Sequence, residues 1–310
     1  MPFDSQRVHD SPTGARLNLY VRHPQTASRG VVQVNHGLSE HAGRYERFAD
    51  FLAGHGFHTY AHDHRGHGGT TAPDAPRGVF AKNDGAAKLM ADVAAIHDLV
   101  AREHPGQPII IFGHSMGGLI ALNHVLRHPG TVRAAAIWNA NFGTPVLNRL
   151  AQALLAYERF RLGSDVPSHL LPRLTFQQWS RRIAGRRTEF DWLSRDAGEV
   201  DRYIADPLCG WPPSVSLWQD IFRLMSYGLD DGDFSQVPRN MPFSLVGGEH
   251  DPATDGGKSV SALGSRMQRM GFSNLVSTIY PQTRHESLNE LNRNLIMEEF
   301  AVWARQAVAG

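Results

Sequence analysis

Gly113-His114-Ser115-Met116-Gly117-Gly118 has the Gly-x-Ser-x-Gly spacing of a nucleophile elbow. The flanks supply the context that this motif needs. Pro108-Ile109-Ile110-Ile111-Phe112 is a short apolar run that reads as a buried parallel strand, and residues 119–126 read as a helix. Strand, tight turn and helix together expose a serine hydroxyl at the carboxyl edge of a sheet. Glycines belong there because the turn is strained and strand and helix pass too close for a Cβ.

A serine hydroxyl attacks a carbonyl only when a base takes its proton, and that base is most often a histidine oriented by a carboxylate. With 17 histidines, composition cannot choose one, so position must. In the chain order nucleophile, acid, base, the partners sit on loops after later strands. The strand ending at Val246 is followed by Gly247-Gly248-Glu249-His250-Asp251-Pro252, and the strand ending at Tyr280 by Pro281-Gln282-Thr283-Arg284-His285-Glu286. Asp251 and His285 therefore fall where the chemistry requires them, with Glu249 as competing acid and Glu286 as a spare. The intervening strand ends in Asn139 and Asn141, which places no acid there. Two backbone amides must face the developing oxyanion. Met116 follows the nucleophile, and Leu38 follows the first buried strand in His36-Gly37-Leu38, so these two are the expected donors.

The elements that must hold these groups alternate. Residues 16–21 read as an early antiparallel strand, residues 30–37 and 57–61 as buried strands, and residues 44–55 and 84–103 as helices. Another strand is expected over 132–138. From about 142 to 235 the alternation stops, and it resumes with strands at 241–248 and 275–280 and helices at 255–270 and 288–308. The reading is an α/β core, 1–141 and 236–310, with a mostly parallel sheet, helices on both faces and a helical cap inserted at 142–235. Within the cap, arginines crowd the first half and acids the second, and the two halves are expected to pair. Leu147, Leu150, Leu154 and Tyr157 recur at helical spacing, so Leu150 and Leu154 are expected to face the opening above Ser115 and bind acyl chain. The alternative reading is that this helix simply packs onto the domain beneath it.

Composition narrows the class. The 310 residues are 41% hydrophobic and 20% charged, ordinary for a globular protein. A net charge of +1 gives no field for nucleic acid. The single cysteine, Cys209, excludes an internal disulfide, and the first residues lack a signal-peptide pattern. A cytoplasmic location is expected. The spacing in His62-Asp63-His64-Arg65-Gly66-His67 fits no metal-ligand pattern, so neither metal nor cofactor is expected. Nothing in the sequence fixes an oligomeric state.

The segments His36-Gly37-Leu38-Ser39-Glu40-His41-Ala42-Gly43-Arg44-Tyr45, Asp63-His64-Arg65-Gly66-His67-Gly68, the elbow, Gly248-Glu249-His250-Asp251-Pro252 and Arg284-His285-Glu286-Ser287-Leu288-Asn289-Glu290 occur in an order that resembles the monoacylglycerol lipase and lysophospholipase branch of the α/β-hydrolases, a serine aminopeptidase S33-like group. The resemblance implies that Ser115, Asp251 and His285 form the triad and that Leu38 and Met116 form the oxyanion hole. It implies that Glu40, Arg44 and His114 contact a glycerol head group, unless Glu40 and Arg44 pair to brace the oxyanion loop. It implies that the cap helix borders the substrate entrance and makes transient contact with a lipid surface, and the expected activity is hydrolysis of single-chain glycerides through an acyl-enzyme. A lysophospholipase, an aminopeptidase or amidase, and a catalytically silent binding protein are the alternatives.

Overall fold

The computed structural model describes residues 3–309. One eight-stranded sheet runs through the molecule. In chain order its strands are β1 (Ser5–Asp10), β2 (Arg16–Arg22), β3 (Gly30–Asn35), β4 (Phe57–His62), β5 (Ile109–His114), β6 (Ala134–Trp138), β7 (Phe243–Gly248) and β8 (Leu275–Tyr280). Their spatial order is β1-β2-β4-β3-β5-β6-β7-β8. β1 pairs with β2, and β2 with β4, antiparallel, and all remaining neighbours pair parallel, with Val32 opposite Thr59 on one side and Ile110 on the other. Every residue of β3, β5, β6 and β7 is buried, as helices on both faces require. The expected mostly parallel α/β sheet is borne out.

Side-chain alternation along β5 divides the core into two layers. Ile110 and Phe112 point toward α1 (Glu46–Gly54) and α10 (Arg293–Ala309), where Phe48, Leu52, Ile296 and Phe300 complete a cluster. Ile111 points the other way, toward α2 (Gly85–Glu103), α3 (Met116–Arg127) and α9 (Lys258–Arg269). The unexpected strand is β1, because its sequence, Ser-Gln-Arg-Val-His-Asp, is mostly polar. It is an exposed edge strand held by its ladder to β2.

No strand lies within 142–235. The segment carries α4 (Pro145–Leu162), α5 (Leu171–Leu174), α6 (Phe176–Arg181), α7 (Ala197–Ala205) and α8 (Val215–Ser226). Thr144 caps α4 by accepting from the Leu147 amide, and Ser214 caps α8 by accepting from Leu217. Leu155, Leu171, Trp218 and Ile221 join Leu119 and Ile120 in one hydrophobic cluster, so this segment packs directly on the layer that carries the elbow.

Two expectations for this segment fail. The apolar ridge of α4 faces outward: Leu147 and Leu150 are each 62% exposed and Phe160 90%. The face turned toward α8 is instead partly polar. Asn148 Nδ2 donates to Ser226 Oγ (2.6 Å), Gln152 Nε2 to the Gln219 carbonyl (3.1 Å) and Arg159 to Gln219 Oε1 (3.2 Å). The expected pairing of basic and acidic halves is also largely absent. Among the described residues, Arg187 with Asp201 (2.7 Å) is the only such ion pair, because the other arginines of the first half point to solvent or to other partners.

Candidate active site

The elbow forms at the junction of β5 and α3. Ser115 has φ 56° and ψ −118°, a conformation that L-residues rarely adopt. Its amide donates to the Trp138 carbonyl (2.8 Å), which fixes the turn against β6. A Cβ on Gly113 would lie 1.9 Å from the Gly117 carbonyl oxygen, and one on Gly117 would lie 2.0 Å from that of Asn35. The two glycines are therefore required by close backbone approach.

Ser115 opens into a cavity of about 710 Å³, within the range of small-molecule sites. His285, Leu38, Met116 and His114 line the same cavity. His285 Nδ1 lies 3.0 Å from both carboxylate oxygens of Asp251. The Asp251 carboxylate also accepts from Ala253 N (2.9 Å), Thr254 Oγ1 (2.9 Å) and Asn139 Nδ2 (3.1 Å). Burial alone would raise its pKa. The charge and hydrogen bond of His285, with the Asn139 and Thr254 bonds, outweigh burial and hold it below the usual carboxylate range. Glu249 is exposed and accepts from the Gln282 amide instead. Among the described residues Ser115 Oγ and His285 Nε2 are not hydrogen-bonded, a contact that commonly tightens only with substrate bound.

The neighbouring acidic and basic residues form a closed network. Glu40 accepts from the Gly37 amide, from Tyr45 Oη (2.9 Å) and from Arg44, and Arg44 also donates to both oxygens of Glu286 (2.6 and 2.7 Å). Burial would raise the Glu40 pKa, but the Arg44 charge and the His114 hydrogen bond hold it well below its ordinary value. Burial would lower that of His114, yet the hydrogen bond and charge of Glu40 raise it. His114 Nε2 donates to the backbone carbonyl of His285 (3.0 Å). Glu40 and His114 line the large cavity, whereas Arg44 lies behind it. The Glu40–Arg44 pair thus ties the loop that carries Leu38 to Glu286.

Neither Leu150 nor Leu154 reaches the cavity. Leu150 is on the outer ridge and Leu154 packs against the core cluster, while Leu147 from the same helix does line the cavity. The face assumed from apolar spacing is turned about the helix axis, because polar partners on α8 claim the inner face. Two residues near the site have roles that the sequence reading did not assign. Asn139, in a left-handed conformation with φ 51°, bridges Asp251 and Ser287, whose hydroxyl donates to it (2.8 Å). Trp192 lies 5.0 Å from the His285 ring and its carbonyl receives the His285 amide. An asparagine ending the strand before the acid's strand was visible in sequence, whereas Trp192 carried no signal.

The family model described as serine aminopeptidase, S33 matches residues 26–292. The chain belongs to this family. Among its relatives, a monoacylglycerol lipase of Mycolicibacterium smegmatis is 29% identical over 298 residues, covering 94% of this chain and 93% of that protein. Human monoglyceride lipase is 29% identical over 185 residues, 60% of this chain and 54% of that protein. Two solved structures share the family fold: a carboxyl esterase from Bacillus coagulans (TM-score 0.87, 22% identity, 98% of each chain) and a lipase in an open form (TM-score 0.84, 25% identity, 98% of this chain and 99% of that one).

Proposed function

We propose that this chain is a serine ester hydrolase that cleaves monoacylglycerols through an acyl-enzyme on Ser115. The observation that carries the reading is the strained Ser115 facing, across one mostly apolar cavity, a histidine locked to a buried carboxylate. His285 takes the serine proton as Oγ attacks the ester carbonyl. The amides of Leu38 and Met116 hold the oxyanion, and Asp251 keeps Nδ1 protonated so that Nε2 is the base. His285 then protonates the departing glycerol oxygen. Water, activated by the same imidazole, releases the fatty acid and restores the serine.

The glyceride reading is supported by the relatives named monoacylglycerol lipase and by the charge around the cavity. A lysophospholipid needs a free cation for its phosphate. The arginine lining the cavity, Arg182, already faces Asp255 (3.4 Å), and Glu189 adds negative charge nearby. The outer ridge of α4, with Val146, Leu150, Tyr157 and Phe160 exposed, suits transient contact with a lipid surface from which Leu147 leads into the cavity. No described helix is long and apolar enough to cross a membrane, and the buried free Cys209 suits a reducing cytoplasmic setting.

The test is monoacylglycerol hydrolysis by wild type and Ser115→Ala, with fluorophosphonate labelling read by mass spectrometry. Stoichiometric labelling at Ser115 and loss of roughly a million-fold in turnover are expected. A variant keeping a tenth of wild-type turnover, or label on another residue, refutes the mechanism. Preference for a lysophospholipid over the glyceride of equal chain length refutes the substrate.

A further inference from the structure

Three histidines far apart in the sequence meet at the end of the sheet opposite the elbow. His23 follows β2, His58 is the second residue of β4, and His104 caps the carboxyl end of α2. The antiparallel register that sets Arg22 opposite Thr59 brings His23 beside His58. Each of the three offers a ring nitrogen within 4.8 Å of the other two. We propose that His23, His58 and His104 form a binding site for a divalent transition-metal ion of the Cu²⁺ or Ni²⁺ type.

The tautomers support it. The Tyr60 hydroxyl lies 2.6 Å from Glu103 Oε2 and 2.8 Å from His104 Nε2. Its single proton goes to the carboxylate, so its oxygen accepts from Nε2–H, and Nδ1 of His104 is left with a free lone pair. A carboxylate that orients a histidine through a hydroxyl is the kind of outer support that metal-binding imidazoles use. His23 Nδ1 and His58 Nδ1 are 2.8 Å apart, a gap that holds at most one proton and otherwise sets two lone pairs against each other. One proton bridges the gap as an ordinary hydrogen bond, and a metal ion that displaces it finds both lone pairs free to ligate. Two nitrogens each about 2.0 Å from one ion lie about 2.8 Å apart at a right angle and about 3.3 Å apart in a tetrahedron. The observed gap therefore matches tetragonal Cu²⁺ or Ni²⁺ more closely than Zn²⁺. His23 is exposed, which gives the ion a path from solvent.

The site is separate from the elbow, so it can be tested apart from hydrolysis. Chelator-treated full-length protein is titrated with Cu²⁺ and followed by electron paramagnetic resonance and calorimetry. One ion per chain, with a tetragonal spectrum and splitting from several nitrogens, is expected. Both His58→Ala and the exposed His23→Ala, which cannot disturb packing, should weaken binding at least tenfold. Tyr60→Phe should weaken it by roughly tenfold by freeing the His104 tautomer. Monoacylglycerol hydrolysis should stay unchanged in His23→Ala. The proposal is overturned if wild type binds no more tightly than His23→Ala. It is equally overturned if stoichiometric binding survives in His58→Ala and disappears in His41→Ala, which would place the ion at His41, Asp206 and Cys209 instead.

Discussion

Acid should unfold this protein at a higher pH than its carboxylates would dictate. His36, His62, His64, His67 and His124 are all buried within 1% exposure. Burial pushes His36 to about 4, His62 and His67 to about 3 and His124 to about 2, and lowers His64 well below its ordinary value. Both ring nitrogens of His62, His64 and His124 lack partners, and His36 Nε2 must stay unprotonated to accept from the His64 amide (2.9 Å). A group whose folded pKa is depressed adds stability above its unfolded value, and that stability is lost as pH falls toward the folded value. At pH 5, each histidine that is protonated when unfolded but neutral when folded costs about 2 kcal/mol, given about 1.4 kcal/mol per unit below an unfolded pKa near 6.5. The four with stated values together cost about 8 kcal/mol, comparable with the whole stability of a typical domain, and His64 acts in the same direction. His114, raised by Glu40, acts oppositely: its contribution is complete below 6.5 and fades as pH rises. Thermal midpoints should be nearly flat from pH 8 to 7 and fall steeply between 6.5 and 5, with about five protons taken up on unfolding at pH 5. His124→Leu should shallow the fall by about a fifth. A midpoint that holds within a few degrees down to pH 5, or uptake of a single proton, refutes the reasoning.

Asn139→Ala removes one of the donors to the Asp251 carboxylate, a hydrogen bond to charge worth about 1.5–3 kcal/mol. Turnover of a soluble ester should fall roughly tenfold to a hundredfold with KM little changed, and a loss under threefold would show that Asn139 does not position the acid. Gly117→Ala forces a methyl against the Asn35 carbonyl on β3, so it should cost about 3 kcal/mol or more in denaturant unfolding and reduce activity as well. Near-wild-type behaviour in both would mean the elbow is looser than its geometry. Phe160→Glu should slow hydrolysis of monoacylglycerol in vesicles several-fold and leave a short soluble ester unaffected; equal losses on both would assign this residue to folding.

The sheet was legible because its central strands are continuous apolar runs closed by glycine-containing turns, as at Ile109 to Gly113 and Phe243 to Gly248. β1 was not, since an exposed edge strand can be polar on both faces and owes its existence to its neighbour. The positions of Ser115, Asp251 and His285 were readable because loops at strand ends carry chemistry in this architecture. The direction of α4 was misread by the usual rule that apolar faces turn inward, because Asn148, Gln152 and Arg159 find polar partners on α8. The bracing role of Glu40 and Arg44 depends on Glu286, 242 residues beyond Arg44, and no local pattern reveals such a partner.

The segment over the sheet grips the site at two points. The Trp192 and Leu193 carbonyls receive the amides of His285 and Glu286, and Arg284 reaches the Asp191 and Ser194 carbonyls. On the opposite side, the Ser39 carbonyl receives the Gly210 amide (2.9 Å) and the Tyr203 hydroxyl (3.0 Å). Residues 190–211 are therefore scaffolding for the base and for the loop bearing Leu38. For protein engineering this separates two kinds of transplant. Exchanging residues 145–175 with a relative's changes what enters, whereas exchanging 190–211 also resets the alignment of His285 with Ser115 and demands matched changes at 39–41 and 284–290.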